Sequence, residues 1–214
     1  DIRIGTNDRS FLSGGAQLAL AWDYRAGRID HDIRAGLRYH YDEIERLHDE
    51  FGYEQLAGTL QLNDQGRVIT ADNTGETHAF SAWIRDEMSL GRWTLVPGLR
   101  VEAISNDFDN ALAGRSVGND YEVFLPGIGA SVEVFDGFNL LGGVHKGFSP
   151  AVPSLSGDLE PEESVNYEFG GRWLSSFGRL EVIGYYSDYS NLTAVCTFSA
   201  GCGQDSLDTQ TNAG

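Results

Sequence analysis

Arg34, Arg38, Arg100 and Arg172 each sit where apolar and polar residues alternate, and each falls on the polar side of that alternation. A guanidinium is a rigid planar fork of N–H donors that meets a carboxylate two bonds at a time. Several on one polar face would make an electropositive lining able to hold an anionic chelate. The competing reading is structural: each arginine is neutralised by a nearby acid such as Asp32, Asp42, Glu102 or Glu168, because charges withdrawn from water need partners. Arg38 and Arg100 are expected near the extracellular ends of their strands. With Arg115, in a long polar stretch that follows, they are the candidate ligand-binding residues. Arg3 and Arg9 read equally as ligand contacts or as solvated surface.

Other reactive residue types give less. His31, His40, His48, His78 and His145 show no metal-ligand spacing, and no cofactor is called for. Glu43, Glu45, Asp49 and Glu50 form an acidic run that reads as a solvated loop face or as a divalent-cation site. Asn106, Asp107, Asp109 and Asn110 lack the glycine and closing glutamate of a calcium loop. Ser149 and Ser154 lie in no nucleophile motif, and no phosphate-cradling glycine loop occurs, so enzymatic chemistry is not expected. Cys196 and Cys202, in a Gly/Ser-rich stretch, read as a small disulfide loop of an oxidising compartment, free thiols being the alternative.

The elements that carry these residues read as strands. Leu18, Leu20, Trp22 and Tyr24 alternate with Gln17, Ala19, Ala21 and Asp23. Ile33, Ala35, Leu37, Tyr39 and Tyr41 alternate with Arg34, Gly36, Arg38, His40 and Asp42, and His31 interrupts the apolar side. Period-2 alternation is a strand signal. About eight such stretches occur, the third spoiled by Asp86 on its apolar side and the sixth, Asn139 to Gly147, ambiguous in face. Tight turns are expected near Ala26-Gly27, Gly91-Arg92, Asp136-Gly137 and Ser176-Gly178. Long polar loops are expected at Arg46–Thr74, Ser105–Asp120, Phe148–Glu163 and from Asn191 onward. Short turns at one end and long loops at the other describe an outer-membrane barrel better than a soluble sandwich. Pro97 and Pro126 inside strands require a bulge or a skipped ladder bond.

The chain has 214 residues, 15 Lys+Arg against 32 Asp+Glu and a formal net charge of −17, which argues against a nucleic-acid partner. Mean hydropathy is −0.29, compatible with a barrel because a spanning strand shows lipid only alternate side chains. Neither end carries a signal peptide or a structural stop, so residues 1–214 are read as an internal section of a longer protein.

Three patterns resemble the TonB-dependent outer-membrane receptors. The first is His145-Lys146-Gly147-Phe148-Ser149-Pro150 with Leu159-Glu160-Pro161-Glu162 and Tyr167-Glu168-Phe169-Gly170, similar to the family's Lys-Gly-Phe-x-x-Pro, Leu-x-Pro-Glu and Tyr-Glu-x-Gly series, with proline one place early. The second is Trp93 through Glu102, similar to a strand ending Gly-x-Arg-x-Glu. The third is Gly36-Leu37-Arg38-Tyr39-His40. The resemblance runs from about Gly15 to Tyr189 and looks most like the ferric dicitrate branch. It implies an all-β antiparallel transmembrane barrel section of about eight long strands in the bacterial outer membrane. It also implies active uptake of a ferric chelate (siderophore or ferric citrate), with TonB acting through a plug not contained here, and contact with outer-membrane lipid and lipopolysaccharide. Haem, cobalamin or an oligosaccharide are alternative cargoes, and a soluble β-rich adhesin or binding module is the alternative class.

Overall fold

The computed structural model describes residues 2–151, 159–195 and 210–212. Eight strands form one antiparallel sheet in chain order: β1 (Ile2–Ala26), β2 (Ile29–Leu56), β3 (Thr59–Leu90), β4 (Trp93–Asn110), β5 (Arg115–Phe135), β6 (Phe138–Ser149), β7 (Glu162–Ser175) and β8 (Gly178–Ser190). A small pair, β9 (Thr193–Val195) and β10 (Gln210–Asn212), stands apart from it. Every neighbour in the sheet is the next strand in the chain, so the architecture is a meander of hairpins. Cys196 and Cys202 lie outside the described residues.

All four expected tight turns are present. Gly27 and Gly91 open two of them with φ of 63° and 60°, a conformation that a side chain resists and that suits a two-residue hairpin following the strands' twist. The expected loops Arg46–Thr74 and Ser105–Asp120 are not loops. β2 and β3 continue as a paired ribbon to a turn at Ala57-Gly58, and β4 and β5 continue to a turn at Ala111–Gly114. The reason is environmental. About 9–11 residues of tilted strand cross a bilayer, whereas β2 has 28 residues and β3 has 32. Beyond the lipid both faces of the ribbon meet water, so the apolar/polar alternation fades although backbone pairing continues.

Within the lipid band the alternation sorts as expected. Leu18, Leu37, Ala82, Val101 and Phe124 are successive cross-strand partners and share one face. So do Leu20, Ala35, Ile84 and Leu99 in the next row. Ile128 and Leu95, with Val144 and Tyr167, carry this face across β4–β7. The ambiguous β6 is resolved: Leu140, Gly142 and Val144 face outward with Val132, Ala130 and Ile128. Trp22, Trp93 and Trp173 mark the short-turn, periplasmic end of the band, and Tyr39, Phe80, Phe124, Tyr167 and Tyr186 mark its outer end. Trp93 and Val101, the partner of Phe124, are separated by about 27 Å of strand at roughly 3.4 Å per residue, close to the height of a barrel's apolar belt.

Both prolines mark gaps in the ladders. Between β3 and β4 the pairing holds one register from Asn73 to Leu90 but skips the positions opposite Pro97 and Val96. Between β5 and β6 it stops at Gly127–His145, immediately before Pro126. A residue without an N–H cannot donate, so one gap is a skipped bond and the other is where β6 leaves β5.

Gly36 shows how tightly the inner face packs. A Cβ there would lie 2.6 Å from Nε1 of Trp83, its cross-strand partner. Gly36→Val should therefore displace the indole and destabilise the barrel by about 1–3 kcal/mol, the usual cost of overpacking. Urea unfolding of the complete barrel in detergent, with indole emission as second readout, checks this.

Candidate functional site: the inner face of the extracellular hairpins

The face opposite the lipid-facing side chains carries the arginines. Arg34 is held by Asp32, with Nε–Oδ1 at 2.5 Å and Nη2–Oδ2 at 2.9 Å. Arg100 is ion-paired with Glu102, whose side chain is buried. Arg172 makes a bidentate pair with Glu181 at 3.0 and 3.2 Å, rather than with Glu168. Arg38 differs. Its contact is Nδ1 of His40 at 3.4 Å, and no carboxylate among the described residues lies within ion-pair distance of it.

Arg38 and Arg100 are not near the extracellular ends of their strands. β2 runs on to Leu56 and β4 to Asn110, so both guanidiniums stand level with the apolar band, beside Leu37 and Val101. Arg115 is not in a long loop either. It is the first residue of β5 and pairs with Asn110. Ten residues of β4 separate its level from that of Arg100, about 33 Å along the sheet. The three predicted ligand residues therefore do not form one site.

Arg115 belongs to a different group. The registers align Arg9 with Arg46, Arg46 with Asn73, Asn73 with Asn110 and Asn110 with Arg115. Direct partners in a sheet share a face, so three arginines and two asparagines form one row across β1–β5. The face is the inner one, because no register shift intervenes between this row and Arg38 or Arg100. Arg9 and Arg46 are like charges directly opposite, an arrangement that costs stability unless something compensates it. Arg46 Nε and Asn73 Oδ1 are buried without a hydrogen-bond partner, as is Nε2 of His48 one step further out. Arg9 Nε donates to Asn7 Oδ1 at 2.7 Å. Next toward the membrane lies a row of Phe11, Ile44, Gly75, Phe108 and Val117, an apolar shelf beneath the cationic row. Sequence reading missed Arg46 and Asn73 and weighed His48 only as a metal ligand, because two-sided polar ribbon carries no alternation to assign a face.

The acids nearest this row take the opposite side. At the same height the outer face carries Glu45 and Asp109 in one row and Glu43, Glu76 and Asp107 in the next. In a chain of net charge −17 the rows next to the cationic one thus carry their acids outside, while the inner-face acids of the same strand, Asp42 and Glu50, are engaged by His40 and Arg3.

Two asparagines on the inner face hold the connection between β6 and β7. Asn106 Nδ2 donates to the carbonyl of Ala151 at 3.1 Å, and Asn119 Nδ2 donates to the carbonyl of Leu159 at 2.8 Å. Asn106 and Asn119 are direct partners, Thr77 Oγ1 donates to Asn106 Oδ1 at 2.7 Å, and Ala151 and Leu159 are buried. The Lys-Gly-Phe and Leu-x-Pro-Glu motifs are therefore where a strand leaves the sheet and returns with both feet tied to the inner wall.

Asp49, part of the acidic run, accepts hydrogen bonds from Thr6 Oγ1 and from Arg67 Nε, the latter at 2.6 Å, and ties β1 and β3 to β2. These bonds hold its carboxyl below the usual aspartate range.

Residues 3–214 match the family described as TonB dependent receptor-like, beta-barrel. The chain belongs to this family, an outer-membrane receptor barrel of bacteria, which removes the soluble adhesin reading. Among solved structures it is similar to the ferric citrate transporter FecA in its unliganded form, with TM-score 0.79 and 22% identity over 88% of this chain and 29% of that one. It is also similar to the ferric-catecholate import receptor Fiu of Escherichia coli K12, with TM-score 0.68 and 15% identity over 96% of this chain and 34% of that one. A third is the ferric yersiniabactin uptake receptor FyuA of Yersinia pestis, with TM-score 0.66 and 15% identity over 99% of this chain and 32% of that one. The chain thus spans about a third of the length of each.

Two expected outcomes follow from these contacts. Asn106→Ala leaves a buried carbonyl without its donor, at a cost of about 1–3 kcal/mol. Limited proteolysis of the folded receptor should then cut between β6 and β7 faster than in the parent. The Asp49 contribution is fully present above the unfolded aspartate value of about 3.9 and is lost as pH falls through the lower folded value. Amide protection, measured against the intrinsic exchange rate at each pH, should fall in the upper β2–β3 ribbon on acidification in that window, and Asp49→Asn should abolish that fall.

Proposed function

We propose that residues 1–214 are a section of the barrel domain of an outer-membrane receptor for TonB-dependent uptake of an anionic ferric chelate, a siderophore or ferric citrate. TonB acts through a plug carried elsewhere in the receptor. The observation that carries this reading is the Arg9–Arg46–Asn73–Asn110–Arg115 row: three guanidiniums on one inner-face line, with unsatisfied buried polar atoms at Arg46 and Asn73. An anion bridging this row would relieve the Arg9–Arg46 repulsion and give Arg46 Nε the acceptor it lacks, while Asn73 Oδ1, itself an acceptor, needs a donor from the organic part of a chelate, which the aromatic shelf of Phe11 and Phe108 also suits. Arg38, deeper and without a carboxylate, is a second contact on the way inward. Arg100, engaged by Glu102, is assigned to the wall. The similar solved structures are of a ferric citrate transporter, a ferric-catecholate import receptor and a ferric yersiniabactin uptake receptor, which supports a ferric chelate as the class of cargo.

The test is ferric citrate and ferric siderophore binding to the complete receptor. Arg46→Ala and Arg115→Ala should each weaken binding of the cognate chelate by about 1.5–3 kcal/mol, the range for a charge-assisted bond. Arg115→Lys should lose part of that, since it keeps charge without the fork. If Arg9→Ala, Arg46→Ala, Arg115→Ala and Arg38→Ala all bind every anionic ferric chelate tried as the parent does, the row is structural and the reading fails.

A further inference from the structure

The lipid-facing side holds two polar residues that its surroundings do not explain. His31 and Asp86 both point outward: His31 pairs with Tyr24 and Met88, and Asp86 pairs with Ile33. Their side chains meet, with His31 Nδ1 2.7 Å from Asp86 Oδ2. The imidazole stacks on Tyr24, ring centroids 4.6 Å apart and planes within 6°, and Trp22 lies 5.5 Å from Tyr24. The second carboxylate oxygen, Oδ1, is buried with no hydrogen-bond partner. A carboxylate among apolar side chains at a membrane surface is costly unless its oxygens are satisfied. Asp86 also faces the skipped ladder position at Pro97, so the neighbouring strand offers it no backbone N–H.

Immediately above this pair, toward the middle of the bilayer, the same face sinks into a groove of about 320 Å³. Ala35 and Ala82 form its floor, and Leu20, Leu37, Ile84 and Leu99 form its sides. Below the pair lies the turn that carries Arg28, whose side chain makes no ion pair or hydrogen bond among the described residues.

We propose that this is a binding site for a phospholipid of the periplasmic leaflet bearing a primary ammonium headgroup, of the phosphatidylethanolamine type. The occupant follows from the chemistry at each level. The groove lies within the lipid-facing band, between the two aromatic rows, so what fills it is an acyl chain. At its lower end a carboxylate takes a cation. With His31 Nδ1–H donating to Asp86 Oδ2, the ring's Nε2 is left as a lone-pair acceptor. A primary ammonium offers an N–H donor to the Asp86 carboxylate, which His31 Nδ1 holds in place, beside aromatic faces that attract cations. A choline headgroup has no N–H to give, and a glycerol headgroup has no positive charge. The phosphate, which joins the ammonium arm to the glycerol, lies beside the pair, with Arg28 on the turn below as its cation.

The experiment uses the complete receptor, purified, delipidated and titrated with phosphatidylethanolamine, phosphatidylcholine and phosphatidylglycerol of identical acyl chains, with bound lipid read by native mass spectrometry. The parent should retain phosphatidylethanolamine at least fivefold over either of the others. Asp86→Asn and His31→Phe should reduce it to the level of phosphatidylglycerol, while Ala35→Phe, which fills the groove, should lower retention of all three. Heat-modifiable electrophoretic mobility reports whether each barrel is folded. If Asp86→Asn fails to fold, His31→Phe still decides the headgroup preference and Ala35→Phe the groove. Equal retention of the three lipids by the parent overturns the proposal. So does an unchanged preference in folded Asp86→Asn or His31→Phe, or a groove found covered by a second copy of the receptor rather than by lipid. Chelate binding is not read in this assay, so its outcome is independent of the uptake reading.

Discussion

The structure depends on one constraint: inside a bilayer every backbone N–H and C=O must find its partner within the protein. An antiparallel ladder does this only while its register holds, since a slip of one residue turns every side chain to the other face. From β1 to β5 the register is continuous through the spanning region. The apolar belt, the ion-paired inner face and the cationic row above them all follow from it. Arg9 and Arg115 are far apart in sequence and in strand order, and they share a line because four successive registers agree.

Charge is sorted by the same device. Odd and even positions of the upper ribbons go to opposite sides, so Glu43 and Glu45 lie outside while Arg46 lies inside, one position away. A uniformly acidic wall would repel an anion. Alternation allows a strongly acidic chain to present guanidinium inward without changing its composition. Within the spanning zone the arginines that remain near carboxylates, Arg34, Arg100 and Arg172, are neutralised by partners on their own or the adjacent strand. Arg38 stands out against them because the residue two positions along is His40, and the acid beyond it, Asp42, four positions away, is already engaged with that imidazole at 2.8 Å.

Departures from regularity fall where the chain does something other than span. Pro126 ends the β5–β6 ladder, and beyond it the β6–β7 connection is tied inward by Asn106 and Asn119. Pro97 opens a gap opposite Asp86, the one carboxylate that the lipid-facing rows of β3 carry within the band. In both places a missing N–H coincides with side chains that take over the hydrogen bonding or leave it unmet. Such local exceptions are where functional constraints are expected to override regular secondary structure.

The sequence by itself determined the class, the tight turns and the two faces of the spanning strands, because lipid on one side and polar lumen on the other imprint a period of two on residues such as Leu18 through Tyr24 and Ile33 through Asp42. It also marked Pro97, Asp86 and His31 as exceptions. Only the tertiary structure decided that Arg46–Thr74 is paired ribbon, since strands with water on both sides leave no such imprint. It alone decided which arginine has a carboxylate, because partners such as Arg172 and Glu181 meet across strands. It also decided that Arg115 lies with Arg9 and Arg46 rather than with Arg38 and Arg100, because height in a sheet is set by cumulative register, a quantity that no single strand's sequence contains.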